Sequence, residues 1–160
     1  MKTAVVYYSM GGNVRYVAEK IAEAAHADVV QLIPVKPYPN HGFRMFFMGG
    51  MAATMKQKPK LQPYAFRADD YDTVVLCSPV WAGTFTPPLR TFLAENDLKG
   101  KRIAAVLSCG GGDTARCVEQ LKQALGTDTL AGVLRLVQPK ADSSPEKDQQ
   151  ILDFARELLG

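Results

Sequence analysis

Near its start the chain carries an almost unbroken apolar run, Thr3-Ala4-Val5-Val6-Tyr7-Tyr8, the pattern of a strand covered on both faces. It stops at Ser9, Gly11, Gly12 and Asn13, residue types that turn the chain. Val14, Val17, Ala18, Ile21, Ala22 and Ala25 then recur at helical spacing, with Arg15, Glu19, Lys20 and Glu23 on the opposite face. A strand, a glycine turn and an amphipathic helix make the first half of a βαβ unit.

The alternation continues. Val29 to Val35 reads as a second strand, broken by Pro34, Pro37 and Pro39. Asp72 to Cys77 reads as a third, followed by a helix containing Pro88 to Glu95. Arg102 to Leu107 is a fourth strand with a helix over Thr114 to Leu125, and Ala131 to Val137 a fifth with a closing helix over Pro145 to Leu159. Strands alternating with helices in this way predict an α/β three-layer sandwich, a five-stranded parallel sheet with helices on both faces.

Only 36–70 lacks this regularity. There Phe43, Met45, Phe46, Phe47, Met48, Met51 and Met55 predict a helix interrupted at Gly49-Gly50, its Met and Phe stripe facing the core. Lys56, Lys58 and Lys60 read as a solvated stretch. No repeat, low-complexity tract or linker divides the sequence, so one domain over 1–160 is expected.

Composition narrows the function classes. With 47% hydrophobic and 22% charged residues the chain is an ordinary globular one. No apolar run approaches the roughly 20 residues of a spanning helix, and the short apolar start is no signal peptide, so no membrane association and a cytoplasmic location are expected. Cys77, Cys109 and Cys117 form no CxxC pair, which argues against a disulfide framework or a zinc site. His26 and His41 stand apart and read as helix-end or loop residues. The net charge of +3 is spread along the chain, so no nucleic-acid partner is expected.

In an open parallel sheet, ligands sit beyond the carboxyl ends of the strands, where strand order reverses. The loops after the first, third and fourth strands are therefore the ones to read. The first, Ser9-Met10-Gly11-Gly12-Asn13-Val14, joins glycines to a helix N-terminus and suits a phosphate. It lacks the lysine of a Walker loop and does not read G-x-G-x-x-G. The second, Ser78-Pro79-Val80-Trp81-Ala82-Gly83-Thr84-Phe85, ends a buried-type strand in a proline, the sole tryptophan and a glycine. This is an apolar wall for a flat aromatic ligand. In the third, Ser108-Cys109-Gly110-Gly111-Gly112-Asp113, three glycines clear side-chain bulk from the main chain, and Asp113 is placed to cap the next helix.

Along nearly its whole length the sequence resembles the flavodoxin family. The first loop is similar to the family's phosphate motif, hydroxyl-x-hydroxyl-Gly-x-hydroxyl: Ser9 and Gly12 match, whereas Gly11 and Val14 replace hydroxyl residues. Two side-chain hydrogen bonds to phosphate are thereby missing, which Arg15 or backbone donors are free to replace. Pro79 to Thr84, with Pro87-Pro88 and Phe92-Leu93, resembles the second loop, and Ser108 to Gly112 the third, which borders the flavin ring. The resemblance implies strand order 2-1-3-4-5 and the short form of the fold.

The resemblance also implies flavin mononucleotide (FMN) as cofactor, held by the three loops, and no acid–base catalytic residue. On this reading Trp81 to Thr84 would face the ring's N5 edge, with Gly83 free to reorient, and Gly110 to Asp113 would line its pyrimidine end. Two functions stay open. One is a carrier passing electrons from a reductase to an acceptor protein; the other is an NAD(P)H-dependent quinone oxidoreductase acting on a small quinone-like acceptor. Family carriers tend to be acidic, and the positive balance here departs from that. The apolar stretch from Gly42 to Met55 would serve as a homodimer face or a substrate wall. A response regulator of the same strand order would need acidic residues where Tyr8-Ser9 and Cys77-Ser78 stand, and the Gly-x-Ser-x-Gly of a hydrolase is missing.

Overall fold

A computed structural model describes residues 2–39, 48, 50–110, 114–139 and 143–159. The first apolar run forms β1 (Thr3–Tyr7), buried at every position. Helix α1 (Asn13–Ala25) buries the stripe from Val14 to Ala25. It ends where His26 turns left-handed (φ 50) and the His26 and Ala27 amides donate to the Glu23 and Ala22 carbonyls. The remaining elements are β2 (Asp28–Gln31), β3 (Thr73–Trp81), β4 (Thr84–Phe85), α2 (Pro87–Glu95), β5 (Arg102–Cys109), α3 (Ala115–Leu125), β6 (Gly132–Val137) and α4 (Pro145–Leu159).

The sheet runs β2-β1-β3-β5-β6, all parallel, and the two-residue β4 folds back antiparallel on the end of β3. With that short arm left out of the numbering, the order is the expected 2-1-3-4-5. Alternation along each strand divides the core. Val5, Tyr7, Val75 and Val106 pack with Val17, Ile21, Ile151 and Phe154 of α1 and α4 on one face. Ala4, Val6, Leu76 and Leu107 pack with Phe85, Leu89, Phe92 and Leu121 on the other. No helix among the described residues is long and apolar enough to cross a membrane.

Besides β5, which runs past the expected Leu107 to Cys109, three features differ from the sequence pattern. The second strand ends at Gln31 rather than Val35, after which the Leu32 amide makes a last bond to the Tyr7 carbonyl. Pro34 then forms an isolated antiparallel bridge with Leu61, with Val35 and Gln62 donating to Lys60 and Ile33. The third strand passes Cys77 and Pro79 to reach Trp81. The Cys77 carbonyl accepts from Tyr8 on the β1 side. Pro79, two residues on, turns its missing N–H to that same side, where β1 has already ended.

The third difference concerns the Met and Phe stripe. Phe43, Met45, Phe46, Phe47 and Gly49 lie outside the described residues, as does His41, while 50–54 are helical. Ala52 and Ala53 face inward there, and Met48, Met51 and Met55 are 43–64% exposed, so the methionines do not enter the core.

Candidate functional site

The three loops singled out from the sequence follow β1, β3 and β5, which are adjacent in the sheet. Register brings them to one end: Tyr7 pairs with Cys77, and Pro79 with Ser108.

In the first loop Gly12 sits at φ 88, ψ −6, as the N-cap of α1. An L side chain resists this left-handed geometry, and glycine accepts it. The Gly12 amide donates to the Ser9 hydroxyl at 3.1 Å, closing the loop on itself, while the Gly12 carbonyl starts the helix by accepting from Tyr16. The first turn of α1 contains no acidic residue, so nothing there opposes an anion. A Cβ placed on Gly11 would meet no atom within 4 Å, which leaves that face of the loop open. Val14 is 1% exposed and belongs to the core, not to the loop surface. Arg15 does not turn toward the loop. Its Nε holds Glu19 at 2.8 Å, one helical turn on.

The second loop is a hairpin. Val80 pairs with Phe85 and Trp81 with Thr84, which leaves Ala82 and Gly83 as a two-residue turn. Both have positive φ, 50 and 77, the requirement of a type I′ turn. Beneath it the buried Ser78 hydroxyl accepts from the Thr86 amide at 3.1 Å and shares a hydrogen bond with the Thr86 hydroxyl at 2.9 Å. From the side, α3 holds the turn: the Thr84 hydroxyl donates to Gln120 Oε1, and the Arg116 side chain lies over Gly83. Gly83 is thus less free than the sequence implied.

Trp81 stands edge-on to Tyr8 (ring centroids 5.6 Å apart) and to Tyr38 (5.3 Å). Burial pushes both tyrosine hydroxyls above the ordinary phenol range, so they stay neutral. Tyr8, Ser9, Met10, Leu32, Pro34 and Tyr38 line a cleft of about 280 Å³ beside the first loop. Another, of about 370 Å³, lies at the amino end of the sheet between 98–103 and 125–131, away from the end where parallel sheets place ligands.

In the third loop Ser108 is buried, and the Cys109 thiol points to the Leu136 carbonyl on β6 at 3.7 Å. Gly110 is exposed, and a Cβ there would meet nothing within 4 Å. Gly111, Gly112 and Asp113 lie outside the described residues. The N-cap of α3 is Thr114 rather than Asp113, and the Thr114 hydroxyl accepts from Arg135 Nε.

Sequence reasoning missed Tyr38, Arg116 and Gln120. The last two sit four residues apart on α3, a spacing that put them on one helical face but carried no sign that the hairpin turn lies against it.

Comparison with known proteins fits this geometry. A family model described as flavodoxin matches residues 2–136. A candidate flavoprotein of Bacteroides uniformis superposes with a TM-score of 0.77 at 21% identity, covering 95% of this chain and 97% of that one. A Lactobacillus acidophilus flavoprotein solved in complex with FMN gives 0.67 at 22% identity, over 85% and 91% of the two chains. The two-electron reduced flavodoxin of Megasphaera elsdenii gives 0.59 at 19% identity, over 97% and 99%. With a family match over most of its length, a parallel sheet in the 2-1-3-4-5 order and three loops gathered at its carboxyl end, this chain belongs to the flavodoxin family.

Proposed function

We propose that this protein binds FMN in the three loops and passes electrons between a reductase and an acceptor. The observation that carries the reading is the union, at one sheet end, of a glycine-capped helix N-terminus, an aromatic hairpin and a glycine loop. The residues fit the cofactor. The opening turn of α1 offers amide donors without intrahelical acceptors, with no acidic side chain beside them, which suits a terminal phosphate. Gly110 keeps space free where a Cβ would otherwise project, and the open side of the first loop at Gly11 leaves it accessible to a phosphate. Trp81, braced by Tyr8 and Tyr38, supplies a rigid apolar wall.

When bound, FMN supplies reversible uptake of one or two electrons; the chain supplies binding, orientation and field. Ser9 and the first amides of α1 would hold the phosphate, with Met10, Gly11, Gly12 and Asn13 shaping the loop around it. Pro79, Val80, Trp81, Ala82, Gly83 and Thr84 would flank one edge of the ring, and Ser108, Cys109 and Gly110, continuing into Gly111 to Asp113, another.

A second reading, an NAD(P)H-dependent quinone oxidoreductase, is favoured by one observation. The segment from Gly50 to Met55, on which Met51 and Met55 are exposed, abuts the hairpin turn, with Ala82 Cβ 4.0 Å from where a Cβ on Gly50 would lie. That lip would suit a small apolar acceptor. The two readings separate in a stopped-flow mix of FMN-loaded protein with excess NADH or NADPH, with and without a quinone. Bleaching that waits for an added reductase supports the carrier. Bleaching within seconds followed by multiple turnovers supports the enzyme. A protein that ignores added FMN overturns both.

A further inference from the structure

Arg116 is the second residue of α3, just past the third loop, yet its side chain reaches back to the second. A Cβ built on Gly83 would lie 3.5 Å from Arg116 Cδ and 3.6 Å from Nη1, so the guanidinium rests against the bare face of the turn glycine. Among the described residues no carboxylate lies within ion-pair distance of it. One turn along the helix, Gln120 already fastens the hairpin through Thr84, a job that needs no charge. A cation therefore stands against Gly83 in the turn of the second loop, on the helix that follows the third.

A positive charge fixed beside a ring that gains negative charge on reduction favours the reduced ring over the oxidised one. Resting on the FMN reading above, we propose that Arg116 tunes the flavin's reduction potential, its guanidinium against the second-loop turn making the bound ring easier to reduce. It acts through the field and not by contact with reacting atoms, so it is a positioning residue. Because Arg116 is exposed, solvent and salt weaken the effect.

The test is the midpoint potential of the FMN-loaded protein, measured by dye-equilibrated titration at low and high salt for wild type, Arg116→Gln, Arg116→Lys and Arg116→Glu. Arg116→Gln should lower the relative affinity for reduced over oxidised FMN about three- to tenfold, roughly 15–30 mV for a two-electron couple. Arg116→Glu should shift it about twice as far in energy, and Arg116→Lys should retain most of the wild-type value. High salt should shrink all of these differences. Unmoved potentials in Arg116→Gln and Arg116→Glu would overturn the role of Arg116 alone. So would Arg116→Lys falling with Arg116→Gln, which would mean that shape matters and charge does not. Failure of the wild-type protein to bind FMN, read from quenching of flavin emission, would instead overturn the functional reading and this role with it.

Discussion

Gly11→Ser should tighten FMN binding. The first loop resembles a phosphate loop in which a hydroxyl residue stands at this position, and the chain has only hydrogen there. The structure shows that a side chain would be tolerated: a Cβ at Gly11 meets nothing within 4 Å, and Gly11 is not among the residues with positive φ. A hydrogen bond to a charged phosphate contributes about 1.5–3 kcal/mol, against about 0.5–1.5 kcal/mol for immobilising the side chain. The net, about 1 kcal/mol, corresponds to roughly fivefold in Kd. The counterpart, Gly12→Ala, should do the reverse. It forces an L side chain to φ 88 at the N-cap of α1, at a strain of about 1–2 kcal/mol. Relaxing that strain would swing the first amides of α1 away, and losing one charge-assisted bond weakens binding about 10- to 150-fold. Both variants are read by titrating apoprotein into FMN at fixed salt and following flavin emission, with thermal melts as the control for folding. If Gly11→Ser binds FMN no better than wild type, or if folded Gly12→Ala binds as well, the phosphate is held elsewhere.

Three further outcomes follow from the structure. Ala82→Asn should raise Tm by about 2–4 °C, because Asn accepts the left-handed first position of a type I′ turn that Ala82 occupies at φ 50; a fall in Tm would contradict the turn assignment. Tyr16→Phe removes the 2.8 Å bond by which α1 grips Asp148 of α4 and should cost about 1 kcal/mol in a urea melt; an unchanged midpoint would show that the bond adds nothing to stability. Burial raises the thiols of Cys77 and Cys117, the latter to about 12, so native protein should react rapidly with a thiol reagent only at the half-buried Cys109, and added FMN should slow that reaction.

The pH dependence of stability has a defined sign at Asp28. The Tyr71 hydroxyl and Lys2 hold its carboxyl below the usual value. Its contribution is therefore complete above the unfolded pKa of about 3.9 and is lost as the pH falls through the folded value. Asp28→Asn should flatten that part of the acid limb in denaturation curves, while wild-type curves that already lack it would remove Asp28 from the account.

The sheet order was legible because β1, β3 and β5, buried parallel strands, announce themselves as short apolar runs. The loop positions were legible because Gly11-Gly12 and Gly110-Gly111-Gly112 stand directly after apolar strand runs. Where sequence reading stopped short, the reason was a long-range contact. Pro79 looked like a terminator, and only the early end of β1 explains why it is tolerated inside β3. Strand β4 has two residues and no alternation to detect, and Ala-Gly is a weaker turn signal than Asn-Gly. Arg116 and Gln120 looked like solvent-facing helix positions because nothing local says that a hairpin tip rests on them. Tyr38 fell in a segment without periodicity, yet it braces the tryptophan.

That bracing gives the molecule a built-in optical reporter. The chain has one tryptophan, and it stands at the rim of the three loops rather than deep in the core. Intrinsic indole emission from the whole protein is therefore a signal from this one corner, fed by excitation collected on Tyr8 and Tyr38. A ring seated against Trp81 would drain that emission, and unfolding would release the indole to water and shift its colour. Occupancy and folding could then be followed in the same cuvette, without a label, as darkening in one case and a red shift in the other.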